Sequence, residues 1–162
     1  MAIKDRVWAV PESGLIISRK GPIDFDLIYK NVVPWFGRYK YDFTEKEHTE
    51  KNKPQGNELI IKWVADRKID DYMQYFIELE FFITELRIIG KQQHAKTKIN
   101  LKSYVKLDYN NEFQKSRFGR FLFFLYNNVI IKRKLLFVHK VKLYKETMDL
   151  HDLIKSLLEH YR

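Results

Sequence analysis

The stretch MQYFIELEFFI, residues 73–83, decides the fold. Met73, Tyr75, Ile77, Leu79, Phe81 and Ile83 occupy successive odd positions, with Gln74, Glu78 and Glu80 among the even ones. Side chains two residues apart leave a strand on the same side, so the stretch predicts a strand with one face against a core. Such a strand needs partners. Upstream, Leu59, Ile61, Trp63 and Ala65 repeat the alternation, and Asp70 with Asp71 suits a tight turn between the two runs. Downstream, Gly90–Lys96 reads as a loop. The strand after it places Ile99, Leu101, Val105, Leu107 and Tyr109 on one side and Lys96, Lys98, Lys102 and Lys106 on the other. Tyr39, Tyr41 and Phe43 alternate with Lys40, Asp42 and Thr44 as a further strand, followed by a polar loop at Asn52–Asn57. These four strands form an antiparallel meander with one face that needs a cover.

Before the meander, Gly14–Lys20 predicts a short strand ending at Gly21 and Pro22. Asp24 can cap a helix in which Phe25, Ile28, Val32 and Trp35 recur at helical spacing, with Pro34 expected to kink it or end it early and Gly37 to stop it. After the meander, Phe118, Phe121, Leu122, Leu125, Tyr126 and Val129 predict a helix that is the natural cover for the sheet. Leu136, Leu143, Leu150 and Leu157 recur every seven residues, but between Ile130 and Tyr144 apolar residues surround the helical wheel, which argues against a zipper. Val141 and Leu143 alternating with Lys140 and Lys142 would also suit a strand; helix is the reading adopted there. From Thr147 on, Leu150, Leu153, Ile154, Leu157, Leu158 and Tyr161 form an amphipathic stripe.

The expected architecture is a single α+β domain over 1–162: a curved antiparallel sheet of four to five strands packed against a long C-terminal helical region. A START-like helix-grip arrangement fits this order of elements by analogy alone. The length and the aromatic content of 15% suit one well-filled core. No stretch of about 18 apolar residues occurs, the nearest run, Phe121–Ile131, being interrupted by Asn127 and Asn128. Cysteine is absent, and Lys4, Asp5 and Arg6 stand where a signal peptide needs its apolar run, so a reducing, cytoplasmic setting is expected.

The net charge of +9 belongs to one segment. Residues 1–86 hold 13 Lys and Arg against 15 Asp and Glu, whereas residues 87–145 hold 15 against only Asp108 and Glu112. Lys96, Lys98, Lys102 and Lys106, joined by Lys115, Arg117, Arg120, Lys132, Arg133 and Lys134, predict a surface that attracts phosphate. RNA or a ribonucleoprotein is the expected partner. Tyr104, on the lysine side of its strand, is the candidate for base stacking, with Phe82 nearby if the hairpin pairs about Gln93. The plainer explanation is a solvated face whose lysines pair with Glu78 and Glu80.

Other readings rest on less. Phe118–Ile131 between basic flanks could lie on an anionic membrane, yet Phe123, Phe124 and Ile131 fall outside a narrow stripe, so a buried core helix is expected instead. Trp35, Tyr41, Trp63, Tyr75 and Phe81 could border a cavity for a small apolar ligand beneath the C-terminal helix, or could fill the core outright. Ile60, Val64, Phe76 and Phe82 lie opposite the core positions and call for a terminal segment or a second copy as cover, making a homodimer a further expectation. Asp66, Asp70, Asp71, Glu78 and Glu80 are better explained by turns and lysine partners than by acid–base work. His48, His94, His139, His151 and His160 have no metal-ligand spacing, and no Walker, GxSxG or GxGxxG motif occurs. No metal or cofactor is expected, and no catalytic residue can be named, which favours a binding protein over an enzyme.

At Trp63, Ala65, Arg67, Lys68, Ile69, Asp70 and Tyr72, and again at Leu150, Leu153, Ile154, Lys155 and Leu158, the sequence weakly resembles small archaeal proteins of unknown function. The resemblance covers two short patches and implies no activity, cofactor or site residue.

Overall fold

The computed structural model describes residues 6–111, 115–125 and 134–159. Their order is β1 (Arg6–Trp8), β2 (Leu15–Pro22), α1 (Phe25–Arg38), β3 (Asp42–Lys51), β4 (Asn57–Lys68), β5 (Met73–Ile89), β6 (Gln92–Leu107), α2 (Arg117–Leu125) and α3 (Lys134–Glu159). All strand pairs are antiparallel, in the order β1-β6-β5-β4-β3, with β2 also on β6. The six-stranded open sheet is larger than the four or five strands expected, because the unanticipated β1 joins β2 along the outer edge of β6.

The period of two in β5 does what the sequence demands. Met73, Tyr75, Ile77, Leu79, Phe81 and Ile83 are buried, as are Leu59, Ile61, Trp63 and Ala65 on β4 and Ile99, Leu101, Val105 and Leu107 on β6. Ile28, Val32, Trp35 and Phe36 of α1, with Leu143, Leu150, Ile154 and Leu158 of α3, complete the same cluster. Of the leucines spaced by seven, Leu143 and Leu150 belong to this core and Leu157 packs against it.

α1 begins as predicted, with Leu27 N donating to Asp24 Oδ1 at 3.0 Å. It does not end at Pro34. An internal proline costs a helix about 3 kcal/mol, and burial of Val32, Trp35 and Phe36 around it outweighs that. The helix closes at Tyr39, followed by Lys40 at φ +61°. Tyr39 and Tyr41 thus belong to the exit from α1, and β3 starts only at Asp42. Its sequence, DFTEKEHTEK, shows little alternation because it is an edge strand whose charges discourage further pairing.

The β5–β6 hairpin is tighter than expected. Gly90, at φ +66°, and Lys91 make the turn between strands that extend to Ile89 and from Gln92, so most of the expected loop is strand. Pairing is centred there rather than on Gln93, which places Phe82 opposite Lys98 and Phe76 opposite Tyr104. A bulge between Thr84 and Arg87, with Glu85 at φ +53°, breaks the β5 alternation.

The helical reading of Ile130–Tyr144 holds from Lys134 onward; residues 130–133 lie outside those described. α2 departs most from expectation. Phe123 is its sole core residue, while Phe118, Phe121, Phe124 and Leu125 are exposed, so α1 and α3 cover the sheet and α2 does not.

Candidate anion-binding face

Alternation in β6 turns Ile99, Leu101, Val105 and Leu107 into the core and sends Lys96, Lys98, Lys102 and Lys106 to the other side. From Lys96 to Lys106 the row runs about 33 Å at ~3.3 Å per residue. The edge strands add two cations the sequence reading did not include: Lys20 pairs with Lys96, and Arg6 with Lys106. The sequence signal for Lys20 was its place at the end of an expected strand; for Arg6 there was none.

The row is partly offset by carboxylates. Lys96 Nζ donates to Glu85 Oε1 at 3.0 Å, and this bond leads the causes that hold the Glu85 carboxyl below its usual range. Lys102 faces Glu78 across the ladder, and Lys62 pairs with Glu47 at 3.3 Å between β4 and the edge strand β3. Among the described residues, Lys98, Lys102 and Lys106 form no ion pair.

Tyr104 does not offer its ring to a base, as it is only 3% exposed. Trp8 of β1 meets it edge-on at 5.0 Å, Phe76 stacks on it at 5.1 Å, and Arg6 lies 4.8 Å from its centroid. Its hydroxyl donates to Glu78 Oε1. The short strand that no alternation announced covers this ring. Phe82 is the aromatic left beside the lysines, half-buried in a shallow cleft of about 450 Å³ lined also by Ser18, Lys20, Thr84, Lys96 and Lys98.

Three of the other cations stand elsewhere. Lys115, Arg117 and Arg120 are exposed at and beside the start of α2, which joins the core side of the sheet through Phe123. Lys132 and Arg133 lie outside the described residues, and Lys134 is the first residue of α3. The basic segment is therefore divided between two surfaces and not gathered on one. Of the apolar residues on the lysine side, Ile60, Val64, Phe76 and Phe82 are all half-buried.

The rings that could have bordered a cavity are packed together. Trp35, Tyr41, Trp63, Tyr75 and Phe81 are each at most 4% exposed. Trp63 and Phe81 meet at 4.7 Å, Phe25 and Phe43 close on Trp63 at 5.8 and 5.2 Å, and Trp35 stacks with Tyr41 at 6.3 Å. Of the two readings of these rings, filling the core and bordering a cavity, the packing agrees with the first.

A buried polar cluster beside them had no sequence signal, because its members are far apart in the chain. Arg67 Nη1 and Nη2 donate to Glu146 Oε1 and Oε2 at 3.0 and 3.1 Å, and Nη1 also donates to Tyr39 O at 2.6 Å. The Tyr41 hydroxyl donates to Glu146 Oε2 at 3.0 Å, and the guanidinium lies over the Tyr41 and Tyr75 rings. Burial, then the Glu146 charge, pushes the Tyr41 phenol up strongly and Tyr75 up to about 12. The Tyr75 hydroxyl is hydrogen-bonded to His139 Nδ1, and burial lowers the imidazole's pKa. Each charge here has a partner, which suits a cross-link between β4 and α3 more than a reaction centre.

The remaining carboxylates are also occupied. Asp70 Oδ1 accepts from the backbone N–H groups of Tyr72 and Met73 at 2.8 and 2.7 Å, and Asp66 Oδ2 accepts from Gln74. Among the described residues no group of three or more His, Asp or Glu is placed to hold a metal ion, and no helix is long and apolar enough to cross a membrane. No family model matches the sequence, and no curated protein matches it either.

Proposed function

We propose that this chain is a non-enzymatic binding protein that holds an anionic partner, RNA or a ribonucleoprotein, along the outer side of β6. The observation that carries the reading is the row of Lys96, Lys98, Lys102 and Lys106 on one side of one strand, flanked in register by Lys20 and Arg6. A line of ammonium groups attracts successive phosphates, and release of their counterions makes binding tighter at low salt. Phe82 takes the stacking role expected of Tyr104, with Lys98 opposite it and Lys20 and Lys96 in the same cleft. Glu78, Glu80 and Glu85 weaken the local field, which favours a modest, salt-sensitive affinity over sequence-specific readout. The absence of cysteine accords with work in a reducing, cytoplasmic setting.

The long C-terminal helix over an antiparallel sheet is similar to a helix-grip arrangement. The ligand cavity that such a comparison suggests has no support from the packed rings of Trp35, Tyr41, Trp63, Tyr75 and Phe81.

Fluorescence anisotropy with mixed-sequence single-stranded RNA across a salt series tests the proposal. Binding is expected at low salt, with Lys96→Gln, Lys98→Gln and Lys102→Gln together reducing the log–log salt slope by about 2, at ~0.7 per phosphate contact. Phe82→Ala is expected to weaken binding by about fivefold or more, the lower end of a lost stacking contact. No binding to single-stranded or duplex RNA at low salt would overturn it.

A further inference from the structure

α2 is seated in the core by Phe123 and leaves Phe118, Phe121 and Leu125 exposed. Phe123 is fully buried, its ring centroid 6.1 Å from that of Tyr72. The start of the helix is fixed by Ser116, whose Oγ accepts from Gly119 N at 2.9 Å. Phe118, Phe121 and Leu125 are 69%, 58% and 40% exposed. Their spacing of three, then four, aligns them on one helical stripe. Lys115, Arg117 and Arg120, all exposed, border it. From Phe113 to Lys145 the sequence carries nine Lys and Arg and no Asp or Glu.

We propose that this stripe docks on an anionic lipid surface, with Phe118, Phe121 and Leu125 entering the boundary between headgroups and acyl chains while Lys115, Arg117 and Arg120 meet lipid phosphates and carboxylates. A helix that lies in the interface combines an apolar face with basic residues in this way. At nine residues α2 is about 13 Å long, far short of the ~30 Å hydrocarbon core, so it rests on the bilayer and does not cross it.

Charge separates the lipid surface from other occupants. A symmetric contact through this stripe would bring Arg117 and Arg120 of two copies together, with no acidic residue in the segment to offset them. RNA would answer the charge and its bases could stack on Phe118 or Phe121, but Leu125 on the same stripe offers no stacking face, whereas acyl chains take all three. RNA binding without vesicle binding, lost with Phe118→Ser and Phe121→Ser, would overturn the proposal. An anionic bilayer satisfies both the apolar stripe and its cationic border. This proposal does not depend on the lysine row of β6, which leaves the opposite side of the sheet.

Co-sedimentation of the full chain with phosphatidylcholine vesicles containing about one-third phosphatidylserine, and with pure phosphatidylcholine, tests it. Binding is expected to the anionic vesicles, weakening as salt rises, and little to the neutral ones. Arg117→Gln with Arg120→Gln should lower the partition coefficient about 25-fold, at ~5-fold per charge. Phe118→Ser with Phe121→Ser should lower it on the order of 50-fold. Both variants alter solvent-exposed side chains, so their melting temperatures should stay near that of the parent, and each reads a different half of the contact. Lys96→Gln with Lys98→Gln should leave vesicle binding in place, which keeps this test separate from the RNA one. The proposal is overturned if anionic vesicles are not bound, if both α2 variants bind as the parent does, or if sedimentation shows a dimer that Phe118→Ser with Phe121→Ser disperses.

Discussion

Replacing Glu146 by leucine should cost this protein about 3 kcal/mol, because it strands a buried guanidinium. Arg67 and Glu146 are 15% and 10% exposed and share two parallel hydrogen bonds of 3.0 and 3.1 Å. Without the carboxylate, Arg67 keeps the Tyr39 carbonyl as its acceptor and two aromatic rings that cannot replace a counter-ion. Breaking a buried pair on one side costs roughly 3–5 kcal/mol, and the residual exposure places this case at the lower end. At ~2–4 °C per kcal/mol for a chain of this size, the melting temperature should fall by about 6–12 °C. Arg67→Met should lose a similar amount by leaving Glu146 unpaired. The double variant, Arg67→Met with Glu146→Leu, removes both charges together and should lie only about 1–2 kcal/mol below the parent, the remainder being the Tyr41 hydroxyl that loses its acceptor. Urea and thermal unfolding of the four proteins give the coupling. A double variant that loses the sum of the two single losses would refute the account, since the charges would then be stabilising the fold independently.

The Ser103 and Thr147 hydroxyls lie 2.8 Å apart between β6 and α3, both fully buried, so Thr147→Val should cost about 1–3 kcal/mol while Ser103→Ala with Thr147→Val is nearly neutral; urea midpoints distinguish the two. Gly56 sits at φ +125°, and an added Cβ would stand 2.7 Å from the Glu85 carbonyl carbon, whereas a Cβ on Gly37 would meet open space. Gly56→Ala should therefore destabilise by more than about 1 kcal/mol, while Gly37→Ala, in a helix, should stabilise by about 0.5–1 kcal/mol, both read from thermal melts. The folded pKa of Tyr75 stands above the ordinary 10.0, so its contribution is complete below pH 10 and is lost as the pH climbs toward about 12. Tyr41, raised further, acts in the same direction. Alkaline titration should show tyrosinate absorbance from these buried phenols appearing together with loss of tertiary structure, and not before it. His139, lowered by burial, has the opposite sign: its contribution is complete above pH 6.5 and fades as the pH falls below that value, so His139→Leu should reduce the acid dependence of the urea midpoint.

The sheet was legible wherever both sides of a strand differ in environment. β4, β5 and β6 each set apolar residues at alternate positions, and these are buried through Ile83 and Leu107, with Gln74 and Tyr104 buried on the opposite side as well. Legibility failed where one side of the chain has no core to face. β3 carries charges on six of its ten residues because it is an edge, and β1 is only three residues long. The fate of Tyr104 followed from that second omission: alternation gave its side of β6 correctly, but Trp8 of the neighbouring β1, with Phe76 of β5, packs against the ring on that side. The Arg67–Glu146 link was out of reach for a different reason. Its partners are 79 residues apart, and no periodicity couples β4 to a particular turn of α3.

α2 shows why an apolar run is not by itself a buried one. Judged from spacing alone, RFGRFLFFL carries more apolar residues than a single interfacial stripe needs, which argues for the interior. Whether an interior position exists depends on the rest of the molecule. The core face of the sheet is already covered by Ile28, Val32, Trp35 and Phe36 from one helix and by Leu143, Leu150, Ile154 and Leu158 from the other. What remains near the β4–β5 turn accommodates one ring, that of Phe123, against Tyr72. The apolar residues left over, Phe118, Phe121 and Leu125, stand exposed beside Lys115, Arg117 and Arg120. A core of finite area thus turns a sequence that reads as interior into a surface whose two properties, apolar and positive, a single kind of partner can satisfy together.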